Sequence, residues 1–129
     1  MLRLRLAATA ALSLIGSAAT TQTPTPTATP VRTIQLYSYG YSPDPLILDA
    51  GKRVTLTFVN RAGKSHDFTA PKFFGSSKIV TGNVGKGEVE LRGGQSASVT
   101  LIAVAGRYKV HCGKPFHKVL GMSGDIIVR

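Results

Sequence analysis

The sequence has no tryptophan, a single cysteine and little acidic charge. Because Cys112 is the only cysteine of the 129 residues, no disulfide can form within the chain. The 16 Lys and Arg residues outnumber the 6 Asp and Glu residues, but they are scattered and form no basic run. This distribution argues against nucleic-acid binding and favours an acidic partner or an anionic surface. No apolar run reaches the roughly 20 residues of a membrane-spanning helix, so we expect no integral membrane span.

The first 19 residues have the pattern of a secretory signal peptide. Arg3 and Arg5 precede an apolar stretch over residues 6–15, and small residues follow at 17–19. We therefore expect cleavage after Ala19 and a bacterial protein that is periplasmic or secreted. Residues 20–31 are rich in Thr and Pro, which is typical of a disordered or polyproline-like linker. The folded domain is then expected at residues 32–129, a common size for one domain.

The sequence pattern of this domain is β throughout. Apolar and polar residues alternate over residues 54–59, as in a half-buried strand. Further strands are predicted at residues 33–39, 46–49, 88–91, 97–104, 107–112 and 123–129, with Gly- and Pro-containing turns between them. Such short, closely spaced strands predict an antiparallel all-β sandwich or barrel. Residues 71–87 fit either a short helix near Phe73 and Phe74 or an irregular connection.

Four side chains with the chemistry of a copper site follow predicted strands. Cys112, His117 and Met122 are spaced five residues apart, and His66 lies upstream after another strand. One thiolate, two imidazoles and a thioether suit both Cu(I) and Cu(II), whereas calcium and magnesium prefer oxygen ligands. We therefore predict one copper ion bound by His66, Cys112, His117 and Met122. His111 is not predicted as a ligand, because alternate residues of a strand point to opposite faces.

The Cys–His–Met loop between two strands, with one upstream histidine, resembles the cupredoxin family, which includes plastocyanin, azurin, pseudoazurin, amicyanin and auracyanin. The resemblance spans roughly residues 32–129 and implies a Greek-key β-sandwich of seven or eight strands. It also implies a type 1 copper site in which His66, His117 and Cys112 are close ligands and Met122 is a weak axial one. Many members have Asn where this chain has Asp67. We expect Asp67 to accept hydrogen bonds from the Cys112 loop and to lower the reduction potential.

The resemblance implies a one-electron carrier. We expect no enzyme, because a copper enzyme needs further copper sites and the chain has only three histidines, two of which are already predicted ligands. In the family the downstream histidine passes the electron through an exposed apolar patch. The corresponding residues are Pro115, Phe116, Val119 and Leu120, although Phe116 and Leu120 could instead belong to the core.

Two further expectations concern partners. Lys114 and Lys118 flank His117, which predicts a redox partner with an acidic docking surface. We also expect the protein itself to be monomeric. The same ligands would serve the alternative function, delivery or buffering of copper in the periplasm. The chain has no Met-rich or His-rich tract of the kind common in copper-transfer proteins, which favours electron transfer.

Overall fold

Alternating apolar residues form the inner face of the central strand Arg53–Asn60. Val54, Leu56, Phe58 and Asn60 are buried, and the residues between them are partly exposed. The computed structural model describes residues 16–129, so most of the predicted signal peptide lies outside the described residues. Residues 16–30 form neither helix nor strand. No helix within residues 16–129 is long and apolar enough to cross a membrane.

The described residues contain ten strands and one short helix. In chain order these are β1 (Val31–Tyr37), β2 (Gly40–Ser42), β3 (Leu46–Leu48), β4 (Arg53–Asn60), β5 (His66–Thr69), α1 (Pro71–Ser76), β6 (Lys78–Thr81), β7 (Glu88–Leu91), β8 (Ser96–Ile102), β9 (Gly106–His111) and β10 (Ser123–Val128).

The strands form two five-stranded sheets, so the predicted all-β sandwich is confirmed. One sheet has the order β2-β1-β4-β8-β6 and the other has the order β3-β10-β9-β5-β7. Most neighbouring strands are antiparallel, as predicted, but β1 pairs with β4 and β3 pairs with β10 in parallel. After β2 the chain crosses to the second sheet, where it forms β3. It then returns to the first sheet as β4, which lies beside β1 and runs parallel to it.

The expected count of seven or eight strands was too low. The strands that sequence analysis missed are β2, β5 and β6, which have only three or four residues each. In β5 the first three residues are all buried, so this strand lacks the alternation by which a half-buried strand is recognised.

Residues 71–87 contain the short helix rather than only an irregular connection. Pro71 stands at the first position of α1, where its missing amide hydrogen costs no hydrogen bond. The helix buries Phe73 and Phe74, and the ring centroid of Phe74 lies 6.1 Å from that of Phe68 in β5. The helix therefore extends the core beneath the strand that carries His66.

A buried asparagine shapes the loop that leads into β5. The Asn60 side-chain amide donates hydrogen bonds to the carbonyls of Lys64, Leu91 and Arg92, and its oxygen accepts one from the Ala62 amide. At Gly93 the two loops approach so closely that a Cβ atom would lie 2.5 Å from the oxygen of residue 63. These contacts fix the backbone immediately before His66.

Candidate metal centre

Three potential metal ligands converge at one end of the second sheet. His66 is the first residue of β5, Cys112 directly follows β9, and His117 lies in the loop between β9 and β10. The Nδ1 atoms of His66 and His117 are 3.2 Å apart. The Cys112 sulfur lies 3.9 Å from the Nδ1 atom of His66 and 3.4 Å from that of His117.

These separations fit a single first-row metal ion. Two imidazole nitrogens at about 2.0 Å and one thiolate sulfur at about 2.3 Å from such an ion, at trigonal to tetrahedral angles, lie roughly 3.2 to 3.8 Å apart. The three measured distances correspond closely to this range. One thiolate with two imidazoles is also a donor set suited to copper.

Met122 is joined to Cys112 and His117 through its backbone. Its carbonyl accepts a hydrogen bond from the Cys112 amide at 3.1 Å, and its amide donates to the His117 carbonyl at 2.9 Å. The Met122 side chain is fully buried. The loop thus brings Met122 to Cys112 and His117, and its predicted axial role stays a prediction.

Asp67 joins the two chain segments that meet at the cluster. Its amide lies 3.5 Å from the Cys112 sulfur, to which it donates, and its carboxylate accepts the Gly113 amide at 2.7 Å. The Thr69 hydroxyl donates to the same carboxylate oxygen at 2.6 Å. The predicted hydrogen bond from the Cys112 loop to Asp67 is therefore confirmed, and the effect on the reduction potential stays a prediction.

The carbonyl of Asp67 is held as well. It accepts a hydrogen bond of 2.7 Å from the buried hydroxyl of Tyr41, a residue of β2. Burial raises the pKa of Tyr41 well above its ordinary range, so this hydroxyl stays protonated and able to donate. Both the main chain and the side chain of Asp67 are thereby fixed next to the thiol.

Burial shifts the protonation of two of the clustered side chains. It lowers the pKa of His66, and the neighbouring His117 lowers it further. It also raises the pKa of the Cys112 thiol, although the amides of Asp67 and Lys114 oppose this shift by hydrogen bonding to the sulfur. In the metal-free protein at neutral pH, His66 is thus neutral and Cys112 is a thiol, and a bound metal ion would displace the thiol proton.

His111 lies outside the cluster, as the alternation of β9 predicts. Val110 and Cys112 are buried, whereas His111 between them is partly exposed. Among the described residues, the group of side chains that could hold a metal ion contains His66, Cys112 and His117 but not His111.

The loop around His117 presents a strongly apolar surface. Phe116, Val119 and Leu120 are 78%, 86% and 55% exposed, while His117 is half-buried. The alternative that Phe116 and Leu120 belong to the core is therefore wrong. Lone exposed apolar residues are ordinary, but three of them in the loop that carries His117 indicate a contact surface.

The basic flank of this surface is weaker than the sequence suggests. Lys114 is half-buried and forms an ion pair with Glu90 of β7. The hydrogen bond to that carboxylate raises the pKa of Lys114, and part of its charge is offset locally. Lys118 is exposed.

Sequence analysis missed two residues that contact the histidines. Ser38 and Tyr39 lie in the turn between β1 and β2, 28 and 27 positions before His66. The Ser38 hydroxyl lies 2.9 Å from the Nε2 atom of His66. The Tyr39 ring centroid is 5.1 Å from that of His117. No signal in the sequence marks this contact, because it depends on how the first sheet packs on the second.

The sequence also matches a known protein family. The family described as a cupredoxin-like domain matches residues 5–128. A search of curated protein sequences found no match.

Among solved structures, auracyanin B superposes with a TM-score of 0.59 at 21% identity, over 88% of this chain and 96% of its own. Auracyanin A from Chloroflexus aurantiacus, described as a blue copper protein, has a TM-score of 0.57 at 19% identity over 79% of this chain and 100% of its own. A multicopper oxidase from Campylobacter jejuni has a TM-score of 0.59 at 12% identity, with 83% of this chain aligned to 32% of that one. At these identities the superpositions show a shared fold.

Proposed function

The chain belongs to the cupredoxin-like domain family, and we propose that it is a mononuclear type 1 copper protein that transfers one electron at a time. The family and the clustered side chains point to one copper ion as the cofactor. The observation that carries the proposal is the convergence of one thiol and two imidazole nitrogens within 4.8 Å of one another. A shared fold with blue copper proteins supports it.

In this proposal His66, Cys112 and His117 are the close ligands and Met122 is the axial ligand. Bound copper would supply a one-electron couple between Cu(I) and Cu(II). The protein supplies a backbone that holds the ligands, because β9 pairs with β10 over six residue pairs and with β5 at its end. A fixed ligand set limits structural rearrangement when the oxidation state changes.

We propose that electrons enter and leave through the exposed edge of His117. This is the one half-buried histidine of the cluster, and the same loop carries the exposed apolar side chains of Phe116, Val119 and Leu120. A redox partner would bury this surface on docking. Removal of Arg3 and Arg5 with the signal peptide would lower the formal net charge from +10 to about +8, which still favours a partner with acidic residues. Electrostatic attraction would then raise the association rate.

Copper delivery is the less favoured use of the same ligands. His66, Cys112 and Met122 are at most 1% exposed, so release of a bound ion would require the loop from β9 to β10 to open. A catalytic copper centre is also disfavoured, because the chain has three histidines and His111 is the only one outside the cluster. We therefore propose a carrier that is not an enzyme.

We propose a periplasmic or secreted location on the basis of the signal-like residues 1–19. The linker at residues 20–31 would then separate this segment from the domain at residues 32–129. Within the linker, residues 20–28 are all exposed.

The test is a visible absorption and electron paramagnetic resonance spectrum of the Cu(II)-loaded protein, before and after dithionite. We expect an intense thiolate-to-copper band that bleaches reversibly and is lost in Cys112→Ser. His111→Gln is the matched control, because His111 adjoins Cys112 but lies outside the cluster, and it should keep the band. A colourless protein that binds only Cu(I) would contradict the carrier function and favour copper delivery.

A further inference from the structure

The turn between β1 and β2 contacts both histidines of the cluster. The Ser38 side chain is exposed at the surface, but its hydroxyl lies 2.9 Å from the Nε2 atom of His66, which is fully buried. The next residue, Tyr39, is half-buried. Its ring centroid lies 6.1 Å from that of His66 in an edge-on arrangement and 5.1 Å from that of His117.

The contact with Ser38 bears on which nitrogen of His66 carries a proton. The Nδ1 atom of His66 points toward His117 and Cys112, so it must have a free lone pair to bind a metal ion. The proton of a neutral imidazole then resides on Nε2 and needs an acceptor. The Ser38 hydroxyl oxygen is placed to accept it, and such a hydrogen bond fixes both the tautomer and the ring orientation.

Tyr39 acts on the same rings by packing. An edge-on or tilted arrangement at these centroid separations is the favoured geometry for aromatic pairs. Because Tyr39 touches both imidazoles, it restricts the rotation of one ring relative to the other.

We propose that Ser38 and Tyr39 are positioning residues that prepare the two histidines for the metal before it binds. Ser38 selects the His66 tautomer whose Nδ1 atom is free, and Tyr39 holds the two imidazoles at their mutual angle. The proposal rests on the proposed function in taking His66 and His117 as ligands. The first sheet, which contributes no ligand, thereby controls the tautomer and the orientation of the two imidazoles.

The first experiment uses the metal-free protein. Nitrogen-15 NMR of the imidazoles at pH 8 reports which nitrogen of His66 carries the proton. We expect the Nε2–H tautomer in the wild type and in Ser38→Thr, which keeps the hydroxyl, and a mixture of tautomers in Ser38→Ala. Ser42→Ala is the matched control, because Ser42 is an exposed serine of the same hairpin and pairs with Gln35 through the backbone.

The second experiment measures binding of Co(II), followed by its thiolate absorption, in the same variants. Loss of a partner that orients a ligand typically lowers metal affinity 10- to 100-fold, so we expect a loss of about that size in Ser38→Ala. Ser38→Thr and Ser42→Ala should bind like the wild type. Tyr39→Ala should also weaken binding, whereas Tyr39→Phe keeps the ring and should not.

The two experiments separate failure of this inference from failure of the proposed function. If Ser38→Ala keeps a single tautomer and full Co(II) affinity, as would follow if water replaced the hydroxyl, the positioning role is refuted while the copper site stands. If the wild type binds neither Co(II) nor copper, and Ser38→Ala is the only variant with a mixture of His66 tautomers, the proposed function fails. The positioning of His66 by Ser38 then still stands.

Discussion

Replacement of Asp67 by Asn should raise the reduction potential of the copper site. Asp67 is 3% exposed, and its carboxylate accepts hydrogen bonds from the Gly113 amide and the Thr69 hydroxyl. Asparagine has nearly the same shape and keeps a side-chain oxygen as an acceptor. The substitution therefore removes one negative charge while it preserves the contact between the two ligand-bearing segments.

The size of the effect follows from the position of Asp67. Its amide is 3.5 Å from the Cys112 sulfur and its carboxylate reaches the amide of the next residue, Gly113. At roughly 7 Å from the metal and an effective dielectric constant of about 20, one unit charge contributes about 2 kcal/mol. For a one-electron couple this corresponds to about 100 mV. The shift is upward because a negative charge stabilises Cu(II) more than Cu(I).

The assay is a redox titration of the copper-loaded protein followed by its thiolate band. Asp49→Asn is the matched control, because Asp49 is an exposed aspartate that follows β3, beside the end of β10 away from Met122. Solvent and salt screen a charge at that distance, so its removal should leave the potential unchanged. A retained visible spectrum with an unchanged or lower potential in Asp67→Asn would refute the reasoning.

Three further predictions concern stability and docking. Asn60→Ala should lower the free energy of unfolding by about 3 kcal/mol in a urea titration, since it leaves buried carbonyl and amide groups without partners, whereas the exposed Asn83→Ala should have little effect. Phe116→Ser should change the free energy of unfolding by less than about 0.5 kcal/mol, because Phe116 is 78% exposed. It should nevertheless slow electron exchange with the partner. Loss of folded protein could not then explain the slower exchange. The metal-free protein should be most stable between about pH 6.5 and pH 8.5, as judged by urea midpoints. Below that window the unfolded chain binds more protons than the folded state, because the pKa of His66 is lowered by folding, so stability falls with decreasing pH. Above it the unfolded chain binds fewer protons, because the pKa of Cys112 is raised by folding, so stability falls with increasing pH. A flat pH profile would contradict both pKa shifts.

Strands in which apolar and polar residues alternate, or which turn residues bound, could be predicted from the sequence. The strand β4 follows the period-two pattern of residues 54–59, and its inward residues are indeed the buried ones. By contrast, β5 has three buried residues in succession, and β2 and β6 are only three and four residues long. Periodicity carries little information over such short or fully buried segments, and these three strands were missed. The equally short β3 and β7 were predicted because Gly- or Pro-containing turns bound them.

The pairing of strands could not be predicted in the same way. Local patterns state that a segment is extended, but not which neighbour it finds. The parallel pairs of β1 with β4 and of β3 with β10 arise from the passage of the chain between the two sheets. Only the packing of one sheet on the other decides that passage.

The sequence by itself determined the chemistry of the candidate site. The thiol, imidazole and thioether groups at Cys112, His117 and Met122 are close along the chain, so a single loop must hold them near one another. The tertiary structure alone decided that His66, 46 residues before Cys112, joins them. It also placed the Ser38 hydroxyl 2.9 Å from the Nε2 atom of His66 and paired Glu90 with Lys114. The physical reason is that ligand identity belongs to individual side chains, whereas their orientation, protonation and exposure depend on neighbours that only folding brings into contact.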